Sequence, residues 1–255
     1  MKPLKYFLGI IVLLWSCNKE DNPVKSDEVN NQELFPIKVG NNWEYTDTMY
    51  TENGEFLYTE TSKLGITGSE EINYMGSKVK VYFWNWYNMN TNQPRNEKWL
   101  VAVENSSLYF YGGRYFDEDF IYLKSLHFKY PVSVNESWQT RIYSSNSSDS
   151  TFEYVGDLSI DCISTSEKLK TPYGELVCVV YHYETISSYG AADAYCYYSK
   201  GIGYVGLIVK TNGIVTYKKL LKSKSLSKNQ FNSGQKISDS KQSSERILFD
   251  GTKRK

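Results

Sequence analysis

Five groups of residues in this chain have types and spacings that could do chemistry. Cys17 is a thiol at the border between a short apolar run and a polar stretch. Cys162, Cys178 and His182 can share one face of a hairpin. Asp117-Glu118-Asp119 stands between Phe116 and Phe120. Tyr82, Trp84 and Trp86 alternate along one stretch, and Trp99 follows them. Gly201-Ile-Gly203-Tyr-Val-Gly206 matches GxGxxG by letter.

Each group implies a definite chemistry, and most of it falls away. A dinucleotide fingerprint needs a helix after the glycines, whose N-terminus holds the pyrophosphate. Here Leu207-Ile-Val-Lys-Thr-Asn-Gly reads as a strand and a turn, so the motif is set aside. Zinc wants four ligands, or three and a water. Cys162, Cys178 and His182 have no evident fourth partner, so no metal is expected. A cross-strand Cys162–Cys178 disulfide or buried thiols is the reading for this pair, with Cys178–Cys196 as a competing disulfide. Calcium loops space their oxygen ligands at alternate residues with a glycine. Asp117-Glu118-Asp119 lacks that pattern and reads as a solvated loop. His127 has no readable partner. Neither GxSxG nor HExxH occurs. No catalytic residue is therefore assigned. A glycosidase needs only two placed carboxylates, which leave no sequence signature.

The aromatic group is the most suggestive. Tyr82, Trp84, Trp86 and Trp99 on an exposed sheet face would stack on sugar rings or an apolar ligand. Buried on both sides, the same residues are simply core.

Cys17 depends on what precedes it. Met1 to Lys5 carries Lys2 and Lys5, and Tyr6 to Leu14 is apolar and uncharged. That run is too short to span a bilayer and has the layout of a secretory signal. Leu14-Trp15-Ser16-Cys17 resembles the lipobox of bacterial lipoproteins. The resemblance implies cleavage after residue 16 and a covalent lipid on Cys17, with no other cofactor. Trp15 is bulkier than the usual residue there. Several acyl chains hold a protein firmly, at ~0.8 kcal/mol per buried methylene. Asn18-Lys19-Glu20-Asp21 resembles the export signal of surface lipoproteins of the Bacteroidota. The implied location is the outer membrane, lipid-anchored and surface-exposed.

Charge divides the rest. Residues 17–221 hold 18 Lys/Arg and 26 Asp/Glu, and residues 222–255 hold 9 and 3. An acidic body argues against nucleic acid as a partner. Residues 17–33 are polar and aperiodic and read as a flexible tether. Residues 222–255 have few apolar groups and read as a disordered basic tail.

The span 34–221 must position the candidate groups, and it reads as one mainly β domain. Phe35-Pro-Ile-Lys-Val-Gly-Asn-Asn-Trp43 recurs as Tyr130-Pro-Val-Ser-Val-Asn-Glu-Ser-Trp138, each copy leading into a strand. Two related halves are expected. Asn53-Gly54 and Asn212-Gly213 mark hairpins, and Gly201 and Gly203 bound a turn. Lys78 to Tyr87 alternates Val79, Val81 and Phe83 against Tyr82, Trp84 and Trp86. A turn centred on Lys170 would set Cys162 opposite Cys178. Ile121–Leu126 is of uncertain type. Strands at this spacing predict a single antiparallel curved sheet, as a sandwich or an open half-barrel.

FPIKVGNNW, TPYGELVCVVY at 171–181 and YYSKGIGYVG at 197–206 together resemble a group of mostly β lipoproteins of the Bacteroidota, over about residues 34–221. That resemblance implies fold and location and brings no catalytic motif. The expected function is a non-enzymatic binding or structural module of the cell envelope. Its expected partners are the membrane, through the anchor, and a glycan or an envelope protein. A surface-glycan hydrolase and a lipid- or lipoprotein-handling half-barrel are the alternatives.

Overall fold

The computed structural model describes residues 33–115, 118–146, 151–187 and 189–227. Cys17, the leader and the chain after residue 227 lie outside them. Twelve strands follow one another: β1 (Asn42–Tyr50), β2 (Phe56–Tyr74), β3 (Ser77–Trp86), β4 (Glu97–Glu104), β5 (Ser107–Tyr115), β6 (Glu118–Phe128), β7 (Ser137–Asn146), β8 (Thr151–Thr171), β9 (Gly174–Ser187), β10 (Gly190–Ser199), β11 (Gly203–Thr211) and β12 (Ile214–Ser225). The described residues contain no helix.

All twelve belong to one antiparallel sheet, in the order β6-β5-β4-β3-β2-β1-β12-β11-β10-β9-β8-β7. Each half is a six-stranded meander, and the first and last strands join them. The sheet curls until its two edges, β6 and β7, stand side by side, giving an almost closed barrel. Curling lets a sheet bury one face on itself. The expected single curved sheet is therefore present, in the barrel-like of the two forms.

The sequence repeat is a structural repeat. Gly40 N–H donates to Ile66 O at 2.9 Å, and Ile66 N–H donates to Asn41 O at 2.8 Å. In the second half Asn135 N–H donates to Cys162 O at 2.7 Å, and Cys162 N–H donates to Glu136 O at 2.9 Å. Gly40 (φ 92°) and Asn135 (φ 66°) are both left-handed, a conformation that glycine and asparagine reach most cheaply. Each motif thus makes the same tight turn into the first strand of its half. The second strand of each half, β2 or β8, is long and bulged, between Ile66 and Ser69 and again at Cys162/Ser164 and Ser164/Glu167. A bulge inserts a residue, bends the strand and reverses which face its side chains take.

The main core fills the barrel. Phe35, Trp43, Tyr45, Trp84, Phe128, Tyr181, Tyr198 and Tyr204 meet there, with aliphatic residues between them. A smaller cluster, Ile72, Val81, Leu100, Ala102 and Tyr111, lies on the opposite face of β2–β5. Val79, Val81 and Phe83 do point one way, and Tyr82, Trp84 and Trp86 the other, and both faces are covered.

Several expectations are corrected here. The hairpin closes at Thr171 and Gly174, and the two bulges in β8 shift its register. Cys162 therefore pairs with Tyr181, Cys178 with Glu167, and His182 with Asp161. Cys162, Cys178 and Cys196 are all buried free thiols, so neither the Cys162–Cys178 bond nor the Cys178–Cys196 bond is formed. β12 runs on to Ser225, so the body extends past residue 221. Ser227 closes that end by donating its N–H to Asn41 Oδ1 at 2.7 Å. Residues 121–126 are strand, within β6. Asp117 lies outside the described residues, while Glu118 and Asp119 open β6 instead of a loop.

Candidate aromatic binding face

Cross-strand pairing gathers the aromatic residues. Trp84 stands opposite Trp99, and Tyr82 opposite Val101. Residues opposite one another in an antiparallel pair share a face, so these side chains all turn into the barrel. Phe110 on β5 extends the row, with ring centroids 6.2 Å from Trp84 and 5.8 Å from Trp99. His127 on β6 lies 3.9 Å from Phe110. Phe128 follows at 6.3 Å, Tyr181 at 5.1 Å from Phe128, and Trp138 at 5.8 Å from Tyr181. The chain of rings thus crosses from β3 to β7 and β9.

These rings differ in exposure. Trp84 is 8% exposed and belongs to the core, so it offers no open platform. Tyr82, Trp86, Trp99, Phe110, His127 and Trp138 are half-buried. Trp86 lies on the same face, 6.0 Å from Tyr45, with one side of its indole covered by the Lys219 ammonium at 4.2 Å. Sequence alternation found the four aromatics of β3 and β4. It missed Phe110, His127 and Trp138, whose place depends on pairings across the whole sheet.

The polar part of this face is small. Burial pushes His127 down to about 4, so its ring is neutral at pH 7. Trp138 Nε1 is buried and has no hydrogen-bond partner. Its counterpart in the first half, Trp43, donates Nε1–H to Ile202 O at 2.6 Å. The repeat is thus satisfied in one half and left open in the other.

At the end of the face is a buried ion pair that sequence gave no hint of. Lys219 Nζ lies 3.1 Å from each carboxylate oxygen of Asp47 and donates to Ser62 Oγ at 2.6 Å. Lys219 is 7% exposed and Asp47 2%. Burial holds the lysine below its ordinary value, and the Asp47 carboxylate opposes that shift. The two residues pair across β1 and β12, at opposite ends of the chain.

Other groups offer less. A void of about 10 Å³ lies among Phe35, Trp43, Leu64, Trp84, Tyr198 and Tyr204, space for one water at most. Among the described residues no three His, Cys, Asp or Glu side chains gather to hold a metal. His182 sits away from the cysteines, between Asp193 Oδ1 at 2.9 Å and Asp161 Oδ2 at 3.7 Å. Burial pushes the thiols of Cys178 and Cys196 up to about 12, which leaves them unreactive. Gly203 begins β11, so the GxGxxG letters form a turn and a strand.

No family model matches the chain, and no curated protein does. Among solved structures the chain is similar to a protein of Bacteroides fragilis described as exported, with a YmcC-like fold. That match has 10% identity and a TM-score of 0.43, covering 75% of this chain and 98% of the other. A second similar structure, from Parabacteroides distasonis, is described as a lipoprotein. It has 14% identity and a TM-score of 0.38, covering 76% of this chain and 99% of the other.

Proposed function

We propose that this chain is a lipid-anchored protein of the outer membrane, held by Cys17, whose β body is a non-enzymatic binding module. The observation that carries the binding reading is the half-burial of Tyr82, Trp86 and Trp99 on the inner face, beside the buried Trp84 and Val101. Aromatic rings held rigid by a sheet and left partly open suit a ligand with flat or apolar faces. A glycan is one such ligand, through its sugar rings. The location rests on the sequence around Cys17.

Two measurements test the two parts. Palmitate labelling of cells should be lost in Cys17→Ala, and unchanged labelling removes the anchor. A glycan array probed with the full-length chain should lose its signal in Trp99→Ala. A signal that survives the substitution takes the aromatic face out of glycan binding. Trp99 is the better choice than Trp84, whose removal would empty part of the core.

A further inference from the structure

The seam between β6 and β7 differs from every other strand junction in the sheet. The two strands are consecutive and adjacent, and no ladder joins them. Among the described residues, the Ser125 side chain spans the gap. Ser125 Oγ accepts from Arg141 N–H at 3.0 Å and is hydrogen-bonded to Thr140 Oγ1 at 2.5 Å. It also lies 3.3 Å from Arg141 O. The hydroxyl stands in for a backbone partner, and both hydroxyl-bearing residues are buried. A ladder would hold these strands with several bonds. Here, among the described residues, Ser125 makes the bonds across the middle of the seam.

Trp138 lies two residues before Thr140 on β7, on the same face. It therefore flanks the latch from within. Its indole N–H is a buried donor with no acceptor, a condition that folded proteins rarely tolerate. The equivalent Trp43 has its acceptor, so the repeat itself does not require the vacancy. Among the described side chains, Phe128, His127 and Tyr181 form the row of rings that leads to Trp138, and none of the three bears a charge at neutral pH.

We infer that the β6–β7 seam is a ligand site, latched by Ser125, for an uncharged ring-bearing molecule that carries a hydrogen-bond acceptor. The body of the ligand lies on the half-buried rings, and its acceptor oxygen takes the N–H of Trp138 when the latch parts. This inference rests on the aromatic-face reading and adds the polar contact and the point of access.

A matched pair of probes tests it: 2-acetylnaphthalene, which has a carbonyl acceptor, and 2-ethylnaphthalene, which does not. Both are titrated against the full-length chain by fluorescence. The ketone should bind about fivefold more tightly, the worth of one net hydrogen bond. Trp138→Phe should abolish that preference while leaving the hydrocarbon unchanged. In the double variant Ser125→Cys/Thr140→Cys, oxidation should abolish the preference and reduction restore it. Ser125 Oγ and Thr140 Oγ1 stand 2.5 Å apart, so two thiols there are within bonding reach of each other, while Cys162, Cys178 and Cys196 are unbonded. A ketone preference that survives either Trp138→Phe or the oxidised latch overturns the inference and leaves the aromatic face standing. Equal binding of the two probes to the unsubstituted chain does the same. Failure of both probes to bind overturns the aromatic-face reading and the inference with it.

Discussion

Replacing Lys219 by methionine should be among the most damaging single changes in the described part of the chain. The ammonium is held by Asp47 at 3.1 Å and Ser62 at 2.6 Å, and it covers the Trp86 ring at 4.2 Å. Methionine keeps most of the stem and removes the charge. Asp47, 2% exposed, is then a buried carboxylate that has lost its ion-pair partner. Removing one member of a buried pair costs about 3–5 kcal/mol, because the survivor keeps its desolvation penalty. Replacing both members by apolar residues of similar size is often neutral or better. Equilibrium unfolding of the full-length chain in urea should therefore show Lys219→Met less stable by about 3–5 kcal/mol. Asp47→Leu/Lys219→Met should recover to within about 1–2 kcal/mol of the unsubstituted chain. A Lys219→Met variant within about 1 kcal/mol of the parent would refute the argument. It would mean that the pair is hydrated and behaves like a surface bridge.

Further outcomes follow from other groups. His127 has a folded pKa of about 4 against an ordinary 6.5, so the unfolded chain binds the extra proton between those values. Stability should fall as pH drops from 6.5 to 4, by up to roughly 3 kcal/mol, and His127→Phe should flatten that limb. Tyr45, Tyr198 and Tyr204 are raised well above 10.0 by burial. Their contribution is complete below pH 10 and is lost as pH rises further, so absorbance-detected ionisation at high pH should coincide with unfolding. A Cβ at Gly206 would stand 2.8 Å from the Lys219 carbonyl, so Gly206→Ala should cost about 1–3 kcal/mol in the same unfolding assay. Cys178 and Cys196 should be silent to an aromatic disulfide reagent until the chain unfolds.

Local signals gave the meander and little beyond it. Asn53-Gly54 joins β1 and β2, and Asn212-Gly213 is the two-residue turn between Thr211 and Ile214. The repeat of Phe35–Trp43 in Tyr130–Trp138 announced two halves. Alternation in Lys78–Tyr87 assigned Val79, Val81 and Phe83 to one face and Tyr82, Trp84 and Trp86 to the other, as found. The long strands were harder to read. Gly65, Gly68, Glu70 and Glu71 break the period of β2 where it bulges, and β8 carries two bulges of its own. The β8 bulges carry no glycine, so the Cys162 register was beyond reach. Lys219 and Asp47 carried no signal either, because they meet only when the two terminal strands pair. The orphaned indole of Trp138 is legible only beside the satisfied indole of Trp43.

The neighbouring of β1 and β12 has one last effect. Asn42 pairs with Ser225, so the start of the first strand and the end of the last lie within a strand's width of each other. A short linker between them would let the polypeptide be cut at the exposed turn Ser133-Val134 without breaking any ladder. Circular permutation at the β6–β7 junction would keep every strand pairing of the sheet, so the permuted chain should reach the same barrel.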